Sequence, residues 1–125
     1  GVMGEIYTGQ ALGTYNCGIL QSTNLETGQA VRSTGGWFEV FVYLTPCLHS
    51  HTGYGIDDPL DRDLETTNVG FQRVENTTFY TNLIWDINKA FRVAFEFAWR
   101  ETDYGDPRVP DNDGPGYHTQ FQWAF

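Results

Sequence analysis

The 125-residue chain is short of charge, of basic residues and of cysteine. Charged residues make up 18% of it, where a soluble domain carries roughly a quarter. Seven Lys and Arg stand against sixteen Asp and Glu, for a net charge of −9. A nucleic-acid binder needs a basic surface to displace counterions from phosphates, so that class is excluded. No apolar run approaches the ~20 residues of a membrane-spanning helix, and no stretch has helical periodicity. The two cysteines, Cys17 and Cys47, lack CxxC or zinc-site spacing and are too few for a disulfide scaffold. Gly-x-Ser-x-Gly, HExxH and P-loop motifs are all missing, so the chain is expected to catalyse nothing. It opens on Gly with no signal peptide, which predicts a processed or truncated N-terminus.

Aromatic residues, by contrast, reach 16%: nine Phe, seven Tyr and four Trp. That composition is the opposite of a disordered chain. Their dominant period is two. Phe91, Val93, Phe95, Phe97 and Trp99 alternate with Arg92, Ala94, Glu96, Ala98 and Arg100. The last residues repeat the pattern, with Tyr117, Thr119, Phe121, Trp123 and Phe125 opposite His118, Gln120, Gln122 and Ala124. Phe38, Val40, Val42 and Leu44 alternate with Trp37, Glu39, Phe41 and Tyr43. Phe79, Thr81, Leu83 and Trp85 oppose Tyr80, Asn82 and Ile84. Such alternation is the pattern of half-buried strands. It predicts six strands, near 4–12, 35–44, 48–56, 76–86, 90–102 and 117–125. The third is the weakest, because His49, Ser50, His51 and Thr52 make it polar on both faces.

Long connections (13–34, 57–75, 103–116) alternate with tight ones (45–47, 86–89). A soluble sandwich has little reason to sort its loops in this way. A transmembrane barrel does, with short periplasmic turns and long outer loops. The polar faces hold Ala94, Ala98, Ala124, Gln120, Gln122 and Asn82, with isolated charges and no lysine in any predicted strand. Trp37, Tyr43, Trp85, Phe91, Trp99, Tyr104, Tyr117, Trp123 and Phe125 fall near strand ends, as interfacial girdles require. The expected fold is therefore all-β: residues 1–125 form a single segment, about six strands of a larger antiparallel up-and-down transmembrane β-barrel. A soluble β-sandwich carbohydrate-binding module, with Trp and Tyr as stacking platforms, is the alternative.

The ending Tyr117-x-Thr119-x-Phe121-x-Trp123-x-Phe125 resembles the C-terminal β-signal of bacterial outer-membrane proteins. Arg32–Trp37, Gly53–Pro59 and Phe95–Tyr104 look like the C-terminal third of porin-type barrels, of the phosphate-selective-porin-like or planctomycete kind. The resemblance implies an outer-membrane channel for passive diffusion of small hydrophilic solutes or ions. Its partners would be outer-membrane lipid, the barrel-assembly machinery, those solutes and, as an option, two further copies in a homotrimer. Tyr117, Phe121, Trp123 and Phe125 would form the assembly signal. The last strand would finish in the periplasm, which places the two short turns there and the long loops outside. Six strands do not close a membrane barrel, whose single-chain examples start at about eight. The chain is thus expected to be the C-terminal fragment of a longer one, or a subunit that pools strands. Cys17 and Cys47 would lie on opposite sides of the apolar band and stay unpaired.

Candidate pore-lining residues are Glu39, Asn82, Arg92, Glu96, Arg100, His118, Gln120 and Gln122. Arg92, Glu96 and Arg100 recur every four residues on one strand face, either as a charge-selecting ladder or as a structural brace. Asp57, Asp58, Asp61, Asp63 and Glu65 cluster in one long loop; Asp103, Asp106, Asp111 and Asp113 cluster in another. They read as a cation-enriching vestibule or as solvated loops. Asp111-Asn112-Asp113-Gly114 resembles part of a Ca²⁺ loop, but no acid follows to complete it. No cofactor is expected, with Ca²⁺ at Asp111 and Asp113 the weak exception. His49-x-His51 has the spacing of a Zn²⁺ or Cu²⁺ pair that lacks a near third ligand, His118 being on a distant strand. Glu39 and Glu96 could serve as a glycosidase pair only if the fold brought them within about 5–10 Å.

Overall fold

The computed structural model describes residues 1–12, 21–67 and 72–124. Cys17 and Phe125 lie outside the described residues, so their expected roles receive no structural account. Six strands form: β1 Val2–Gln10, β2 Arg32–Thr45, β3 Leu48–Pro59, β4 Arg73–Asp86, β5 Phe91–Tyr104 and β6 Asn112–Trp123. They make one antiparallel sheet in chain order, β1-β2-β3-β4-β5-β6, which is not closed. Among the described residues there is no second layer, so the two sheets of a sandwich are not present. A 3-10 turn lies at Asp61–Asp63, and among the described residues no helix is long and apolar enough to cross a membrane.

All six predicted strands form, but most are longer at the long-loop end. β3 runs on through Asp57 and Asp58 to Pro59, and β5 through Asp103 to Tyr104. β6 starts at Asn112, so Asp113 and the Gly114-Pro115-Gly116 stretch belong to a strand and not to a loop. Proline is tolerated there because β6 is an edge of the sheet. Backbone pairing outweighs the turn propensity of Gly, Pro and Asp wherever a neighbouring strand offers partners.

Register fixes the two faces. On one face, cross-strand rows read Phe91–Trp123, then Leu48–Trp85–Val93–Phe121, then Val42–Ser50–Leu83–Phe95–Thr119. The next rows are Val2–Val40–Thr52–Thr81–Phe97–Tyr117 and Gly4–Phe38–Tyr54–Phe79–Trp99–Pro115. None of these residues is charged. The next row introduces Glu101 and Asp113. Phe91 to Trp99 is eight residues, about 27 Å along the strand at ~3.4 Å per residue. A tilt of roughly 40° reduces this to about 21 Å along a barrel axis, against a typical apolar band of ~25 Å. Three hydroxyls within the band find partners inside the protein: Thr52 Oγ1 and Thr81 Oγ1 are 2.8 Å apart, and Ser50 donates to the Asn82 carbonyl at 2.8 Å.

This apolar face is uncovered. Phe95 is 58% exposed, Phe121 69% and Tyr117 77%. Buried apolar residues are few: Val31, Leu64, Val93 and Ala98. Buried polar residues outnumber them, and include Glu39, His49 and Asp57. That inverts the usual soluble pattern of apolar groups inside and polar groups outside. Three girdle expectations are corrected by the register, the first being Tyr104, which shares the polar, even-numbered phase of β5 with Arg100. Trp37 pairs with Glu5 and Gly55, and Tyr43 pairs with His49, so both rings stand on the polar face. Trp37 is also well inside β2, not at its end.

At the long-loop end the connections clasp one another. Arg32 makes a bidentate pair with Asp63, 2.6 Å at each oxygen. Glu26 accepts from the backbone and hydroxyls of Thr66 and Thr67. The Glu26 and Asp63 carboxyls are both pulled down to about 2, chiefly by hydrogen bonds from Thr67 and from Arg32 respectively. Arg108 does the same to Asp106 within its own loop.

Candidate functional site

The polar face is built from repeated cross-strand rows in which a tyrosine crosses a glycine to reach an acid. In one, Tyr80 of β4 faces Gly53 of β3, which faces Glu39 of β2. A Cβ at Gly53 would collide with the Tyr80 ring. Glycine there lets the ring lie across β3, so that the Tyr80 hydroxyl donates to Glu39 Oε2 at 2.7 Å. In the other row Tyr7 of β1 crosses Gly35 of β2 to hydrogen-bond Asp57 of β3. Ser33 also donates to Asp57.

From Glu39 the hydrogen-bonded chain continues toward the short turns. His51 Nδ1 is 2.6 Å from Glu39 Oε1, and His51 Nε2 is 2.8 Å from His49 Nδ1. His49 Nε2 lies 3.4 Å from Asp86 Oδ2, and Arg92 Nε donates to Asp86 Oδ1 at 2.5 Å. Phe41 stacks on His51 and Tyr43 on His49, which holds the two imidazoles in place at 61° to each other. With Glu39 ionised, His51 donates from Nδ1 and accepts at Nε2, which makes His49 Nδ1 a donor. His49 Nε2 is then left buried without a hydrogen bond. Protonation at that atom would convert its contact with Asp86 into an ion pair. The arrangement can hold and pass a proton along one face of the sheet.

The eight candidate pore-lining residues all fall on this one face. Asn82, Glu96 and His118 are direct cross-strand partners, and Asp86, Arg92 and Gln122 form another row. Gln120 pairs with Ala94, and Arg100 with Thr78. Arg92, Glu96 and Arg100 do not brace one another. Arg92 takes Asp86, and Glu96 takes His118 Nδ1 at 3.0 Å, because cross-strand neighbours are about 5 Å apart and residues four apart on one strand are over 13 Å apart. Glu39 and Glu96 are three strand spacings apart, about 14 Å at ~4.8 Å each, too far for a glycosidase pair.

His49 and His51 do share a face, yet their facing nitrogens bond each other. Among the described residues no three His, Cys, Asp or Glu converge as a metal site. Asp111 precedes β6 and Asp113 pairs with Glu101. Asp57, expected in an acidic loop, is a buried strand residue instead. Tyr7, Tyr80 and Asp86 were missed by sequence reasoning. The available signal was the odd-numbered phase of Gly35 and Gly53 against that of the acids. Cys47 is exposed and free in the tight turn. Tyr117, Phe121 and Trp123 project from the apolar face of edge strand β6.

Comparison with protein-family models, curated proteins and solved structures gives no match to this chain.

Proposed function

We propose that the chain contributes six neighbouring strands to an outer-membrane β-barrel of porin type, through whose polar interior small hydrophilic solutes or ions diffuse. The observation that carries this reading is the charge-free band on one face, about 21 Å tall on the axis estimate above. Its aromatic rings are exposed, and its Ser50, Thr52 and Thr81 hydroxyls are bonded to the protein. Lipid demands that arrangement, because an unsatisfied polar group in hydrocarbon costs several kcal/mol. The opposite face is polar and cross-braced, as a lumen wall must be. The unpaired edges of β1 and β6 call for further strands, from the same chain or from other copies.

The test is heat-modifiable migration and planar-bilayer conductance of the full-length protein. A folded form that needs detergent, resists SDS until boiled and conducts in steps is expected. A protein that stays monodisperse without detergent and leaves bilayers silent would refute the reading and favour a soluble binding module.

A further inference from the structure

Three glycines, Gly35, Gly53 and Gly55, punctuate the polar face of β2 and β3. Tyr7 covers the first and Tyr80 the second. No side chain covers the third: a Cβ at Gly55 would meet only Trp37 Cβ at 3.5 Å and the Gly36 carbonyl at 3.6 Å. The result is a hollow of about 240 Å³, floored by backbone and bordered by Trp37, Tyr7, Glu5, Asp57, Asn76 and Thr78. Trp37 is the one tryptophan of the polar face, and it is 37% exposed. Other aromatic rings of this face are engaged, Phe41 and Tyr43 against histidines and Tyr7 and Tyr80 across glycines, whereas the Trp37 indole borders open space.

No basic side chain borders the hollow. Arg100, opposite Thr78, directs its guanidinium toward Gly116 on β6. An indole, a phenol and two carboxylates around an uncovered floor are complementary to one chemistry. The ring faces attract a cation through their quadrupole, the carboxylates add charge, and the Asn76 and Thr78 side chains can take a hydroxyl or amide tail. We propose that the hollow beside Trp37 binds a small organic cation with an ammonium head. The site deepens the pore reading, in which this face lines the lumen: such a cation would be a preferred solute, held weakly on its way through.

The experiment titrates the full-length protein with choline chloride, in whichever medium keeps it folded, and follows intrinsic tryptophan fluorescence. Glucose and sodium acetate are the parallel probes. A saturable response to choline is expected, weakened by added sodium chloride because charge is involved. Trp37→Phe abolishes the signal. Glu5→Gln, which changes no volume, raises the dissociation constant about five- to tenfold. Gly55→Leu fills the hollow and abolishes binding, whereas Gly114→Leu, on open backbone of the same face, leaves it unchanged. Should Gly55→Leu not fold, Glu5→Gln carries the decision. A response to glucose equal to that for choline, or a choline response that survives both Glu5→Gln and Gly55→Leu, overturns the proposal. Stepwise conductance without saturable choline binding leaves the pore and removes the site. Saturable binding to a protein that never conducts leaves the site and removes the pore.

Discussion

Phe95 sits midway between Phe91 and Trp99, the residues that bound the charge-free band on β5, and its ring is exposed. Ala94, its neighbour, faces the other way between Ile84 and Gln120. If the band meets lipid, Phe95→Arg places a guanidinium at the bilayer midplane, which costs about 2–4 kcal/mol in a barrel. That is roughly 30- to 700-fold in the folding equilibrium. Trp99→Arg lies four residues nearer the rim, where the cost falls to about 0–1 kcal/mol. Ala94→Arg meets the polar face and is expected to cost under about 1 kcal/mol. Denaturant unfolding of the full-length protein in lipid vesicles measures all three. Phe95→Trp separates lipid from a protein partner: fluid chains accept a larger ring, while a packed core is strained by about 1–3 kcal/mol. Equal costs at positions 95 and 99, with Phe95→Trp as destabilising as overpacking predicts, would refute a lipid-facing band. A damaging Ala94→Arg beside a silent Phe95→Arg would invert the two faces.

Reversal potentials in a salt gradient should favour cations at low salt, because Asp58, Glu75, Glu101, Asp103 and Asp113 crowd the long-loop strand ends; anion preference would assign control to Arg92 and Arg100. Glu26 and Asp63 titrate near 2 in the fold, below their ordinary values of 4.5 and 3.8. Their clasp therefore stabilises the loops above the ordinary values and is lost as pH falls through about 2, so limited proteolysis should cut 21–31 faster at pH 2 than at pH 6. Glu39→Ala strands the Tyr80 hydroxyl and a His51 nitrogen and should destabilise by about 2–4 kcal/mol in denaturant unfolding, with Glu39→Gln milder. Deleting Phe125, in phase with Tyr117, Phe121 and Trp123, should lower the yield of heat-modifiable barrel without changing unit conductance; unchanged yield would remove it from assembly.

The strands were legible because aromatic and β-branched residues alternate without a break, and a period of two has one structural meaning. Their ends were not. Asp57, Asp58, Gly114 and Pro115 carry turn propensity, yet β2, β4 and β5 supply pairing partners that no single-segment reading contains. The weak third strand formed for the same reason. Its polar residues are accommodated on both faces: His49 and His51 bond on one, while Ser50 and Thr52 find partners on the other.

The polar site was half legible, and a single bulge explains the missing half. A tight turn at Pro46–Cys47 sets Thr45 opposite Leu48, and continued without a shift it would place Glu39 opposite Tyr54. The register changes between Tyr43 and Thr45, and Glu39 meets Gly53 instead. That one-residue shift clears the path by which Tyr80 reaches Glu39 and sets Tyr43 opposite His49, where their rings stack. It also aligns Trp37 with Gly55 and so opens the hollow. Bulges re-aim side chains without leaving a residue signature of their own. Periodicity could therefore assign Glu39, Asn82, Glu96 and His118 to one face, but not say which of them touch. Contact on a sheet is decided across strands, at about 5 Å, and a spacing of four along one strand, as in Arg92, Glu96 and Arg100, guarantees separation and not mutual bracing.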